Sequence, residues 1–331
     1  MKKKILLLFC GGTIVMEKNE EGVLAPPNKE RAMQSLMDLE PKIEQLALVD
    51  VVFIDNIDST NITPSHWDLM AQVIFDRYDD YDGFVVTHGT DTMAYSASAL
   101  AFALQNLGKP IVFTGSQIPG YFLESDARRN LINALRVAVM DVAAVMLVFS
   151  EKIILGVRAS KVSHTELEAF ASINRKSLGY VGVNIRFHEK LGKKPEKPLS
   201  LELGFDGKIA VISLVPGMPI TVLEELLTCD LHGIILVAYG SGNIPEIYLP
   251  FLEKAQTKKM PVVIRTQCLE GSTSMDIYAT GKQALRHCVI EVYDMSLETT
   301  ITKLMWALKR GVSYEEIKTI MQKNYAGEIS L

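Results

Sequence analysis

Short apolar runs alternate with helix-like segments along nearly the whole 331-residue chain. "KILLLFC", "DVVFID", "GFVVT", "PIVFTG" and "AAVMLVF" are each apolar over most of their length. Strands buried on both faces read this way, and such strands belong to parallel sheets covered by helices. Helices are predicted between them at residues 29–38, from Pro64 to about Tyr78, at 92–106 and at 124–140. Thr63 or Ser65 is available to cap the second of these. The pattern predicts an α/β fold with a doubly wound, mainly parallel sheet, whose sites lie at the carboxyl ends of its strands.

The alternation breaks at "HEKLGKKPEKPLS", which has four lysines, two prolines and no apolar period. This is the linker expected over 188–204, between a larger domain at 1–187 and a smaller one at 205–331. Beyond it the alternation resumes with "KIAVISL", "TVLEELL", "GIILVAY", "PVVIRT" and "VIEV". Further helices are expected near 246–258 and 281–286, and two at the end. The smaller domain is therefore α/β as well. No repeat of solenoid period is present.

Composition narrows the function classes. The net charge is −5 with no long basic run, which argues against nucleic acid or an anionic membrane as partner. The N-terminal "MKKKILLLFC" places only six apolar residues, Ile5 to Cys10, after its lysines, and Phe9 is too bulky for a cleavage site. A first strand and a cytoplasmic protein are expected. No apolar stretch has the length of a membrane span. Cys10, Cys229, Cys268 and Cys288 have no CxxC spacing and read as buried thiols of a reduced compartment.

The strand endings carry the functional signal. The first four strands run into Gly11-Gly12-Thr13, Asp58-Ser59-Thr60-Asn61, Gly89-Thr90-Asp91 and Gly115-Ser116-Gln117. Any one of these is an ordinary turn or helix cap. Four along one sheet edge converge on a single polar pocket suited to a small polar substrate. "CGGTIV" is not a dinucleotide fingerprint, and no phosphate-binding GxxxxGK[ST] occurs. No spacing suggests a metal site, so neither cofactor nor metal is expected. What remains is threonine hydroxyls and carboxylates, and a hydroxyl attacks an acyl carbon only where a base takes its proton. Lys161, in "GVRASKVSHTELEAF" after a strand, is the candidate base. Taken alone it is a solvated lysine, and His88 reads as a hydrogen-bonded structural residue.

"GGTI", "DSTNITP", "VVTHGTDTMAYSASAL" and "IVFTGSQIP" together resemble the bacterial L-asparaginase family, in its type I cytoplasmic branch. "GVRASK", "RTQC" and "YATG" extend the resemblance over nearly the whole chain. It implies one large and one small α/β domain, and hydrolysis of a side-chain amide through an acyl-enzyme. On that resemblance Thr13 matches the nucleophile, and Thr90, Asp91 and Lys161 match a second threonine, an aspartate and a lysine. Asp58, Ser59 and Thr60 match the segment that holds the α-carboxylate and α-amino groups of an amino-acid substrate. Asp91 would also meet the α-ammonium, and Ser116 matches a position near the side-chain amide. The resemblance further implies a homodimer or homotetramer, with Asn243 of "YGSGNIP" the residue lent to a neighbour's site.

The chain departs from the family at the loop after Thr13. Where many members carry a tyrosine, "MEKNEEGVLAPPNK" has Val23 and Leu24 and no tyrosine at all. Activation of Thr13 then falls to another residue, or to Lys161 and the backbone. The loop from Met16 to Lys29 is long for a connection between a strand and a helix and is expected to act as a lid, with Gly22 as a hinge and Pro26 and Pro27 stiffening its far end. Two other readings stay open at this level: an asparaginase-like subunit of a tRNA-dependent amidotransferase, and a catalytically weak amino-acid sensor.

Overall fold

The first apolar run becomes β1 (Lys4–Gly11), buried at every residue but Lys4. The computed structural model describes residues 2–41, 43–189, 195 and 197–330. After β1 come the short strands β2 (Glu17–Lys18) and β3 (Leu24–Ala25), α1 (Lys29–Asp38), β4 (Leu48–Ile57) and α2 (Pro64–Asp76). Then follow β5 (Gly83–Thr87), α3 (Met93–Ala103), β6 (Leu104–Gln105), β7 (Ile111–Thr114), α4 (Ala127–Ala138) and β8 (Val145–Phe149). The first unit continues with β9 (Lys152–Leu155), β10 (Ala159–Lys161), β11 (Phe170–Ser172), β12 (Gly179–Val181), β13 (Ile185–Phe187) and β14 (Ser200–Leu201).

Eight of these strands form one sheet in the order β13-β12-β9-β8-β7-β5-β1-β4. All pairings from β4 to β8 are parallel, and β9, β12 and β13 close one edge antiparallel. Along the parallel part the second strand lies on one side of β1 and the third on the other. That reversal opens a crevice at the carboxyl ends of β1 and β5, the place where ligands bind in doubly wound sheets. Register brings Phe9 level with Thr87, so β5 ends two residues before β1 does at that edge.

Local sequence explains the elements. Asn28 caps α1 by accepting from the Arg31 amide, and Pro64 opens α2 behind a Thr63–His66 capping box. α3 is buried on all sides except at Tyr95. Its alanines and serines let it pack closely against its neighbours. It is shorter than the predicted 92–106, because the chain leaves the helix at Leu104 to pair β6 with β14, and Asn106 takes a φ of 61°. The predicted 124–140 helix is likewise trimmed to α4, and α2 stops two residues short of Tyr78.

The chain divides into two compact units, 1–203 and 204–331. Within the expected linker, Ser200–Leu201 is β14; residues 190–194 and 196 lie outside the described residues. The second unit contains β15 (Ile209–Ser213), α5 (Ile220–Leu226), β16 (Gly233–Ala238), α6 (Leu249–Thr257), β17 (Val262–Thr266), α7 (Ala279–Ala284), β18 (Val289–Glu291), α8 (Leu297–Leu308) and α9 (Tyr314–Gln322). Its four strands form a fully parallel sheet in sequence order, with an apolar cluster on each face. The cysteines correct the expectation of uniformly buried thiols. Cys10 is buried, and burial pushes its thiol well above the usual range, but Cys229 and Cys268 are exposed and Cys288 is half-buried.

Candidate active site

Two glycines set the site. A Cβ on Gly12 would come within 2.6 Å of the Gly89 amide nitrogen and 2.8 Å of its Cα, and Gly12 has a φ of 96°. Only glycine allows the backbones ending β1 and β5 to touch. The next residue on each side is a threonine, Thr13 and Thr90. Gly89 packs in turn on Ser59, where an added Cβ would sit 2.6 Å from the serine Cβ and Oγ. Thr92 Oγ1 donates to the Ser59 carbonyl at 2.7 Å, tying the ends of β4 and β5 together. Thr90 Oγ1 reaches the fourth strand end by donating to Gln117 Oε1 at 3.1 Å. The four polar strand endings are therefore cross-tied at one edge of the sheet.

A lysine completes the cluster. Lys161 is the last residue of β10 rather than part of the loop after it, paired in register with Phe170. Its Nζ donates to Thr90 Oγ1 and to Asp91 Oδ1, both at 2.7 Å. The lysine side chain is 18% exposed and that of Asp91 57%. Thr90 is buried and Thr13 half-buried. This arrangement joins hydroxyl, ammonium and carboxylate along a path from the interior to solvent, as proton movement between a hydroxyl and a base requires.

The remaining predicted residues fall into three groups. Asp58 Oδ1 accepts from both the Thr60 amide and the Thr60 hydroxyl at 2.9 Å, fixing the turn that buries Ser59 and leaves Thr60 exposed. Ser116 is buried, and its hydroxyl has no hydrogen-bond partner among the described residues. Asn243 belongs to the second unit, in the turn after β16, where its backbone bridges Tyr239 and its Oδ1 accepts from Thr280 at 3.3 Å. Among the described residues no group of three His, Cys, Asp or Glu side chains could hold a metal ion.

His88 is structural, as its sequence setting suggested. Its Nδ1 lies 2.7 Å from the Gly89 carbonyl, which can only accept, so Nδ1 carries the proton. Nε2 then accepts from Ser96 at 2.9 Å, and Ser96 accepts from the Trp67 indole at 2.9 Å. Burial holds the His88 pKa down at about 4, so the ring is neutral near pH 7.

Two features escaped the sequence. The loop after Thr13 is a small hairpin, with β2 and β3 paired through Glu17–Ala25 and Lys18–Leu24. Asn19 closes its turn by accepting from the Glu21 and Val23 amides, and Gly22 takes a φ of 77°. Glu17 anchors the hairpin to α1 through Arg31 at 2.7 Å, while Val23 and Leu24 face solvent. The other feature is Gln117 itself, visible as a strand ending but given no role. Its backbone is held by Asp126, a buried carboxylate that accepts from the Gln117 and Ile118 amides and from Asn130. The signal available was the polar "SQ" pair directly after an apolar strand.

Residues 4–193 match the family model described as Asparaginase, N-terminal, and residues 208–321 match the Glutaminase/Asparaginase C-terminal domain. The chain is 39% identical to an L-asparaginase from Thermococcus kodakarensis, with 99% of each covered. A solved structure, the thermostable L-asparaginase from Thermococcus kodakarensis, superposes with a TM-score of 0.91 at 38% identity, covering 99% of both chains. L-asparaginase 1 from Escherichia coli K12 is 37% identical over 99% of this chain and 98% of its own length. A Glutamyl-tRNA(Gln) amidotransferase subunit of Pyrococcus abyssi is 33% identical over 99% of this chain and 77% of its own length. With both family domains matched in order, and the threonine–lysine–aspartate cluster assembled at the switch point of the larger sheet, the chain belongs to the asparaginase family.

Proposed function

We infer that this protein hydrolyses the side-chain amide of L-asparagine to L-aspartate and ammonia. The observation that carries this reading is the Thr90–Lys161–Asp91 cluster beside the backbone contact of Gly12 with Gly89, the residues that precede Thr13 and Thr90. In the mechanism, Thr13 attacks the amide carbon, its proton leaves through the neighbouring relay, and ammonia departs with that proton. Water then hydrolyses the acyl-enzyme, with Thr90 and Lys161 handling the second proton. Ser59 and Asp91 receive the α-carboxylate and α-ammonium of the substrate, Asp58 and Thr60 shape the turn that presents Ser59, and Ser116 faces the side-chain amide. The exposed half of Asp91 suits it to a substrate ammonium. The hairpin after Thr13 serves as the lid, and the protein acts in the cytoplasm.

The asparaginase reading is favoured over the amidotransferase reading by higher identity and by coverage of the relatives' full length. A homodimer or homotetramer is proposed, with Asn243 reaching a neighbour's site. Its test is sedimentation at assay concentration, in which a fully active monomer would remove the claim. The reaction is tested by ammonia release from L-asparagine by the purified protein, without tRNA. Steady turnover is expected, and none would leave the sensor reading standing.

A further inference from the structure

Thr90 has one proton, and the structure fixes where it points. Lys161 offers only N–H groups, so at 2.7 Å the Thr90 oxygen must accept from it. The threonine proton is then free for Gln117, whose side-chain oxygen lies 3.1 Å away. The amide of Gln117 is oriented from its far side, because Nε2 donates to the Glu166 carbonyl at 3.3 Å and so leaves Oε1 facing Thr90. The backbone below is equally fixed. Both carboxylate oxygens of Asp126 accept from the Gln117 amide at 3.1 Å, and Oδ1 also takes the Ile118 amide at 3.0 Å. Asp126 is itself tied to Asn130, which donates to it at 2.8 Å and to the Gly115 carbonyl at 2.9 Å.

The consequence is directional. In this resting arrangement, before any proton moves, the Thr90 proton goes to Gln117 and one lone pair to Lys161, so Thr90 has only a lone pair left to present to a ligand. A carboxamide NH2 donates to such a lone pair. A carboxylate has no hydrogen to offer and meets it oxygen to oxygen. Lys161 attracts a carboxylate whatever stands at position 117, its charge shared with Asp91, so the contribution of Gln117 is read as a change in the amide-to-acid ratio between variants.

We propose that Gln117 is a positioning residue that sets the polarity of Thr90 and thereby makes the site prefer an amide substrate over its acid product. The proposal rests on the reading that the side-chain amide lies against Thr13 and Thr90. Gln117 acts through Thr90 and need not touch the ligand.

The test compares L-asparagine and L-aspartate by calorimetric titration in a Thr13→Ala background, which keeps asparagine intact. Gln117→Leu removes the acceptor and frees the Thr90 hydroxyl to turn and donate to a carboxylate. Aspartate should then tighten relative to asparagine by about tenfold, the effect of one hydrogen bond gained by one ligand and lost by the other. Gln117→Glu keeps an acceptor for Thr90 but cannot donate to the Glu166 carbonyl. It should hold the amide preference at or above that of the Thr13→Ala parent. A purely structural role for Gln117 would weaken both ligands together in both variants. Parallel weakening, an unchanged ratio in Gln117→Leu, or like behaviour of the two variants overturns the proposal. Wild-type turnover of asparagine is measured alongside. Its loss would sink the parent reading, whereas turnover with an unchanged ratio would sink this proposal alone.

Discussion

Two lysine–carboxylate pairs in this protein have the same separation and opposite surroundings. Lys161 meets Asp91 at 2.7 Å with side chains 18% and 57% exposed. Lys303 of α8 meets Glu328 at 2.7 Å with both side chains 0% exposed. The second pair is saturated: Lys303 also donates to the Lys323 carbonyl at 2.6 Å, and Glu328 accepts from the Tyr325 and Ala326 amides. Burial lowers the Lys303 pKa, and Glu328 opposes that shift. Such a pair holds the last turn of the chain against α8 and has no capacity left for a ligand. The first pair is tied to a threonine on one side and open to solvent on the other, which is what a group that must move a proton needs. Distance alone does not separate a structural ion pair from the pair proposed to be catalytic; the partners left over do.

The largest expected effect lies on the open side of the comparison. Thr13→Ala should lower kcat on asparagine by roughly 10^4-fold or more. Its melting temperature should stay near that of the wild type, because Thr13 lies beyond the strand end and is only half-buried. A variant that keeps most of its kcat would move the nucleophile elsewhere.

The buried pair should respond in the opposite sense. Lys303→Met leaves a buried carboxylate without its cation, at a cost of about 3–5 kcal/mol in stability. Denaturant titration reads that loss, and activity per folded molecule should be unchanged. Lys303→Met combined with Glu328→Leu should recover part of it, since no charge is then left unpaired. If the single variant lost kcat and kept its stability, the comparison would fail.

His88 gives a smaller, pH-dependent version of the same idea. Its folded pKa of about 4 lies below the 6.5 of an unperturbed histidine. Between these values the unfolded chain binds a proton that the folded chain refuses, so stability is full above pH 6.5 and falls as pH drops toward 4. The shift corresponds to about 3 kcal/mol across that window. Denaturation midpoints of wild type and His88→Gln at pH 7.5 and 4.5 should show a steeper acid loss in the wild type. Equal losses would mean that His88 is not kept neutral by burial.

Much of this was legible in the sequence because buried parallel strands leave long apolar runs, and their polar endings stand out against them. The helix expected at 29–38 matches α1, and the GGT and HGTDT endings mark the two loops that touch. The hairpin was not legible: "EKNEEG" has the charge of a solvated loop, and its order comes from Asn19 folding back on its own turn and from Arg31 fourteen residues on. The antiparallel edge formed by β9, β12 and β13 was missed as well, because strands of three or four residues carry too little pattern to register. Gln117 was missed for a different reason. Its role depends on Thr90 and Glu166, 27 positions before it and 49 after, and no local motif encodes that meeting.

The most direct test of the central claim, that the open pair carries the chemistry, is the steady-state kinetics of Lys161→Met on L-asparagine. Loss of a general acid–base group predicts kcat lower by about 10^2- to 10^4-fold, with KM within a few-fold of the wild type. A kcat near the wild-type value, or a raised KM at unchanged kcat, would show a lysine used only for binding and would contradict the account.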